Sequence, residues 1–472
     1  MRLNWVVAVA IAGSGVYLAH SREEFRVLAA LLVLASLLVS GCAFYNHPYP
    51  QPDLSNQRYE LHTVQIDDFG TFWDAKQANA LLDDVATGAD QGNTFVYVFI
   101  HGWHHNASPD DPNLHDFNQL LGVLDRKLST DARRDLRGRL TGSKDYRLIG
   151  IYLGWRGRSL PGVLDYGTMW WRKAAAERVG DGAAAEFIER LQRIYLRANA
   201  MHRSPADTAI KPMMGLVTMG HSFGGQVLLK SVARPIEYDL VERAQQVPDL
   251  TRPPVNTGVT EVRVAVDSFG DLNILLNPAT EAYQFARIDE LYRQLKFPSE
   301  QTPQLVVFSA DNDVAREAFF PVARVLTAPF RPGFRNSFQG ALYGQALGVL
   351  PAQQSHTMVH AQAGTPDSLT AADYLDNEGN KVKQFDFSGD VVFDGIRLER
   401  MGGAAAGETV IRNSPASMVL VHEQIIDGHD GIFRPEFQQF LASYVTFIEG
   451  KRLMLRYDRF KASLERTCPS PR

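Results

Sequence analysis

Gly215-Leu-Val-Thr-Met-Gly-His-Ser-Phe-Gly-Gly225 is the stretch on which the reading of this chain turns. An apolar run, Gly215 to Met219, leads directly into Gly220-His-Ser-Phe-Gly-Gly225, and Gly225-Gln-Val-Leu-Leu-Lys230 continues with helical character. Ser222 thus stands where a buried strand turns sharply into a helix. A serine in that position is forced into a strained turn, and flanking glycines let neighbouring backbone pass without a Cβ clash. Its Oγ is expected to project above the carboxyl ends of the strands, where open α/β sheets bind ligands. The five-residue pattern G-x-S-x-G recurs by chance, so the rest of the chain must supply the strand order, a base and an acid.

Working outward, Thr94-Phe-Val-Tyr-Val-Phe-Ile100 is too apolar and β-branched to be other than a strand buried on both faces. Arg147 to Leu153, Gln304 to Ser309 and Val419 to Val421 read the same way, as does Val262 to Val266 continued by Asn273 to Leu276. Tyr59 to Phe69 alternates loosely as an early strand. Helical periodicity falls between these runs, at Ala75–Val85, Leu114–Leu128, Ala184–Ala198, Gly225–Ala233 and Thr280–Leu295. The regular alternation predicts an α/β fold with a mostly parallel central sheet covered by helices on both faces. Two insertions interrupt it, at about 156–206 and 331–414. The first carries Trp170-Trp171; the second carries the hydrophobic segment Ala341–Leu350 and strand-like residues around Val391–Leu398. Inserts so placed form either caps that select substrate or plain surface elaboration.

A serine alone is a weak nucleophile and needs a base held by a third group, which this architecture supplies in the order Ser, Asp or Glu, His. Leu305-Val-Val-Phe-Ser-Ala-Asp-Asn-Asp313 places Asp311 and Asp313 just past a strand. Ile425-Ile-Asp-Gly-His-Asp-Gly431 places His429 in a glycine-flanked loop past the last strand. Of thirteen histidines, His429 is the one with the right place in chain order. A loop histidine that merely caps the next helix is the structural alternative.

From about Thr94 onward the chain resembles the α/β-hydrolase superfamily. It is most similar to a bacterial branch marked by His-Gly-Trp, Asn-Pro-Ala and Ser-x-x-x-Asp after successive strands, here His101-Gly-Trp103, Asn277-Pro-Ala279 and Ser309-Ala-Asp-Asn-Asp313. The resemblance implies Ser222, Asp313 and His429 as catalytic residues, with Asp311, through Asp311-x-x-Val314, the rival acid. It also implies an oxyanion hole made by the backbone N–H groups of Trp103 and Phe223. His101, His104, His105 and His115 fall within fifteen residues, yet lack the i, i+4 spacing of a zinc protease. No metal and no organic cofactor is expected; these histidines are expected to line the cleft mouth or to support the oxyanion turn.

A net charge of −5 and the lack of any basic tract give no reason to expect a nucleic-acid partner. The N-terminus points to a membrane instead. Trp5–Ala19 and Val27–Val39 are apolar, separated by Ser21-Arg-Glu-Glu-Phe-Arg26, and the second closes with Val39-Ser-Gly-Cys42. Both runs are shorter than a comfortable span of ~20 residues, which disfavours a transmembrane hairpin. The outline is that of a secretion signal, and its end resembles the bacterial lipobox, implying lipidation of Cys42. Cys468 would then have no intrachain partner. The expected organisation is a targeting segment over 1–42, a tether over 43–58 and a hydrolase domain over 59–472, anchored in the bacterial cell envelope with the catalytic domain outside the cytoplasm. The expected activity is cleavage of carboxylic esters or thioesters, with a lipid or small-molecule ester as partner. The other readings are a non-catalytic surface lipoprotein and an acyltransferase using the same triad.

Overall fold

The computed structural model of the chain describes residues 26–27, 29–30, 44–53, 58–200, 212–245, 263–267, 269–313, 333–368, 390–401, 411 and 413–467. Cys42, Cys468 and nearly all of the two N-terminal apolar runs lie outside them. Among the described residues no helix is long and apolar enough to cross a membrane.

Thr94–Ile100 forms β2, every residue of it buried. The period-two geometry of a strand divides its side chains between two cores. Val96, Val98 and Ile100 pack in one apolar cluster, and Phe95, Tyr97 and Phe99 in the other. The remaining strands are β1 (Glu60–Gln65), β3 (Arg147–Gly154), β4 (Met214–His221), β5 (Leu272–Leu276), β6 (Leu305–Ala310), β7 (His356–His360), β8 (Val391–Phe393), β9 (Ile396–Arg400) and β10 (Ala416–Val421). They join in one sheet in the order β1-β3-β2-β4-β5-β6-β10-β7-β9-β8. All pairs are parallel except β7–β9 and β8–β9.

The helices α1 (Ala75–Gln91), α4 (Met169–Asp181), α5 (Ala183–Ala198), α6 (Phe223–Gln245) and α7 (Tyr283–Arg293) contribute to the first core. The second is closed by α2 (Pro112–Leu128), α3 (Asp131–Thr141) and α9 (Pro435–Thr467). A short helix α8 spans Ser337–Gly344. The sequence reading of an α/β fold with a mostly parallel sheet is therefore what the structure has.

One detail differs from expectation. Residues 263–267 are not a strand: Val266 N–H donates to the Gln301 side chain (2.8 Å) and Val264 N–H to Lys296 O (2.8 Å), so a side-chain amide and a loop replace the ladder. In the second insertion, β7 pairs parallel to β10, and β8 and β9, where strand-like residues were expected, complete an antiparallel edge of the sheet. The described part of the tether expected over 43–58 is hydrogen-bonded to β1. Gln51 and Thr63 exchange hydrogen bonds, and the Gln65 side chain bonds both N–H and C=O of Tyr49.

Parallel register brings the strand ends to one edge. Ile100 lies opposite Gly220, His221 opposite Leu276, Leu276 opposite Phe308, and Ala310 opposite Val421. Every loop named by the sequence motifs leaves from this edge.

Candidate active site

The turn after β4 is strained. Ser222 has φ +54, in the left-handed region that costs an L-residue about 1–2 kcal/mol. Neighbouring backbone holds it there. Ser222 N–H donates to Leu276 O (3.0 Å), and Ser222 O accepts from Gly225 N–H (3.0 Å) and Ala279 N–H (2.9 Å). The helix α6 must cross close over the end of β2, and only glycine fits at the crossing: a Cβ on Gly224 would lie 2.1 Å from Ile100 O. The same register sets Gly102 beside Ser222, where a Cβ would approach the serine Cβ to 2.7 Å. Ser222 itself is 5% exposed.

His429 lies 207 residues from Ser222 and 116 from Asp313 in sequence, and the fold brings the three together. His429 Nε2 lies 2.8 Å from Ser222 Oγ, and His429 Nδ1 lies 2.8 Å from Asp313 Oδ2. With Nδ1–H donating to the carboxylate, Nε2 is left to accept the serine hydroxyl proton. Asp313 is buried, whereas Asp311 is exposed and its N–H closes the β6–β10 ladder at Val421 O. Of the two aspartates, the structure brings Asp313 to the histidine.

Three residues that the sequence reading left without a role fix this loop. Asn277, at φ +42 and fully buried, donates from Nδ2 to His429 O (2.8 Å) and Gly428 O (3.1 Å), while its Oδ1 accepts from Ala310 N–H (2.8 Å). Asn312 accepts from Gly428 N–H (2.8 Å) and donates to Asp427 (2.9 Å). His221 donates from Nε2 to His429 O (3.0 Å). Burial, followed by the nearby His429, drives the His221 pKa well below the usual histidine range, so it adds no positive charge beside the triad. The Asn277-Pro-Ala279 motif was the available signal for the first of these. Asn312 stands in the Ser309-Ala-Asp-Asn-Asp313 motif and His221 in Gly220-His-Ser-Phe-Gly-Gly225, but neither motif indicated a bond to the His429 loop.

Trp103 follows Gly102 in a turn packed on Ser222, and Phe223 is the first residue of α6, where backbone N–H groups have no intrahelical acceptor. Their rings lie 6.4 Å apart. The histidine cluster has separate duties. His104 bonds Asp165 (2.8 Å) and His105 bonds Asp111 (3.0 Å), the N-cap of α2, while His115 is exposed. His101 is fully buried: its Nδ1–H donates to Gly102 O (2.9 Å), and its Nε2 accepts from Trp155 N–H (3.0 Å). Among the described residues, His221, His429 and Asp430 bring possible metal-ligand atoms within 4.8 Å of one another. Both nitrogens of His429 already face Ser222 and Asp313, so an ion there would take the ring from the serine.

His101 makes stability depend on pH. Burial lowers its pKa from 6.5 to about 4. Between those values the unfolded chain binds a proton that the folded chain does not. The contribution is intact above pH 6.5 and is lost as pH falls towards 4, by about 3 kcal/mol in all. Denaturant unfolding at pH 7 and pH 4.5 should show this loss. His101→Gln, which keeps an acceptor for Trp155 N–H but cannot titrate, should show a smaller difference between the two pH values. An unchanged difference would remove His101 from the account.

No protein-family model matches the chain, and no curated protein does. Among solved structures, an uncharacterized protein from Pseudomonas aeruginosa aligns at 9% identity and a TM-score of 0.18. The alignment covers 54% of this chain and 42% of that one, and at that TM-score it carries no argument.

Proposed function

We propose that the chain is a serine hydrolase of the α/β-hydrolase type, acting on carboxylic esters or thioesters from a membrane-anchored position. The observation that carries this reading is the relay Ser222 Oγ–His429–Asp313, both links at 2.8 Å, on a serine held at positive φ. A positive φ at a non-glycine residue costs free energy, and the turn keeps it where it aims Oγ at the base.

In the first half-reaction, Ser222 Oγ attacks the substrate carbonyl carbon as its proton passes to His429 Nε2. Asp313 keeps the Nδ1–H tautomer and stabilises the imidazolium. The oxyanion is met by the N–H groups of Trp103 and Phe223, donors worth about 3 kcal/mol each where such groups have been removed. Collapse breaks the bond to the alcohol or thiol, which leaves with the proton from His429. Water then gives a proton to His429 Nε2 as its oxygen attacks the acyl carbon, and collapse breaks the bond to Ser222 Oγ, which takes that proton back from His429 as the acid leaves. The side chains named suffice for each proton transfer.

The test is turnover of p-nitrophenyl esters of graded acyl length, with and without EDTA. The account expects saturable hydrolysis insensitive to EDTA, with kcat/KM peaking at the acyl length that fits the pocket. Background rates at every length in folded protein would reject it. Activity abolished by EDTA would move the chemistry to a metal on His221, His429 and Asp430.

A further inference from the structure

Beside the oxyanion turn the chain displays large apolar side chains to water. A 3₁₀ segment, Gly162–Thr168, and the start of α4 carry Val163 (81% exposed), Leu164 (65%), Tyr166 (58%), Trp170 (39%) and Trp171 (58%). The segment is fixed in place. Asp165 accepts from the N–H groups of Ser159 (2.8 Å) and Leu160 (2.9 Å), from the Thr168 hydroxyl (2.8 Å), and pairs with His104 (2.8 Å). Tyr166 packs edge-on against Trp103, with ring centroids 5.4 Å apart, so the apolar surface reaches the rim of the candidate site.

The start of the domain lies at the same place. Arg156, on the loop that leads into the 3₁₀ segment, donates to Phe44 O (3.5 Å) and pairs with Asp68. Asp68 also pairs with Arg172 of α4 (2.7 Å), next to Trp171, while its chain neighbour Phe69 is 80% exposed. Arg158 stands over the Tyr45 ring at 5.1 Å. Phe44 is five residues beyond the apolar run Val27–Val39, and five residues span at most about 17 Å. A bilayer anchor at this run, or on Cys42 two residues before Phe44, therefore lies within about that distance of Phe44, whose carbonyl Arg156 holds beside the exposed segment.

We propose that this face, formed by the 3₁₀ segment and the first turn of α4, seats on a lipid bilayer surface and opens the serine site toward it. The proposal rests on the hydrolase reading for its consequence, which is that the substrates are esters resident in the bilayer. Exposed Trp and Tyr with an apolar body and a polar tip suit the headgroup boundary, and contiguous exposed apolar surface marks an interaction site. The seating is apolar, so it should persist at high salt.

Two measurements on the full chain reconstituted in phosphatidylcholine vesicles test it. In the first, vesicles with brominated acyl chains should quench tryptophan fluorescence more in the wild type than in Trp170→Tyr/Trp171→Tyr, at low and high salt alike. The tryptophans outside this pair are common to both proteins and cancel. Equal quenching would overturn the proposal. In the second, Val163→Ser/Leu164→Ser/Trp171→Ser should keep kcat/KM on a water-soluble short-chain ester within about twofold, while hydrolysis of an ester carried in the vesicles falls about tenfold or more. Equal losses on both substrates would show a structural role and overturn it, as would unchanged vesicle hydrolysis. A change in subunit stoichiometry with quenching unaffected would assign the face to a second copy and also overturn it. If neither substrate is hydrolysed by the wild type, the hydrolase reading fails, and quenching alone still decides the docking.

Discussion

Ser222→Ala is expected to lower kcat on an activated ester by about 10⁶-fold, the scale seen when the nucleophile or base of such a triad is removed. The residue reaches the base at 2.8 Å, and no second hydroxyl is hydrogen-bonded to His429 among the described residues. Alanine keeps a Cβ at the same strained φ, and the backbone bonds from Leu276, Gly225 and Ala279 do not involve the side chain. The variant should therefore melt within a few degrees of wild type, a shift of about 1 kcal/mol or less in a domain of this size. Measuring kcat and the melting temperature on one preparation separates lost chemistry from lost fold. Retained turnover in the folded variant would place the nucleophile elsewhere.

The second large effect separates the two aspartates. Asp313→Asn should cost about 10⁴-fold in kcat, because an amide facing Nδ1 favours the wrong imidazole tautomer and cannot stabilise the imidazolium. Asp311→Asn should stay within about threefold, since Asp311 enters the sheet through its backbone N–H, which the substitution keeps. The contrast is sharper than either number alone. A large loss for Asp311→Asn with near-normal Asp313→Asn would reverse the assignment of the acid.

The fold was legible where burial on both faces wrote itself into composition. The strands at 94–100, 147–154 and 305–310 are nearly unbroken apolar runs because helices cover both sides. Residues 263–267 carry a similar pattern for a different reason: Val266 is buried, but its amide is satisfied by Gln301, which lies thirty-five residues away. Periodicity carries no record of such a partner. The strand β7 was hidden similarly, since the alignment of His356 with Val419 depends on pairing across an insertion, whereas β8 and β9 fall where strand-like residues were read at Val391–Leu398.

The candidate site divides along the same line. Ser222 announces itself through local strain and glycines, and His429 and Asp313 through their places after strands. Asn312 and His221 act on the His429 loop across more than a hundred residues, and their local sequence carries no trace of it. The exposed face at Val163–Trp171 was visible only as an insertion with paired tryptophans. Its position beside Trp103 depends on the His104–Asp165 bond, which joins residues sixty-one apart.

The central claim is that Ser222 is an activated nucleophile. It is tested most directly by exposing the folded full chain to a fluorophosphonate and mapping the adduct by mass spectrometry. The account predicts one adduct, on Ser222, formed with or without EDTA and lost in His429→Ala. Folded protein that stays unlabelled, or that carries the adduct on another residue, would contradict it.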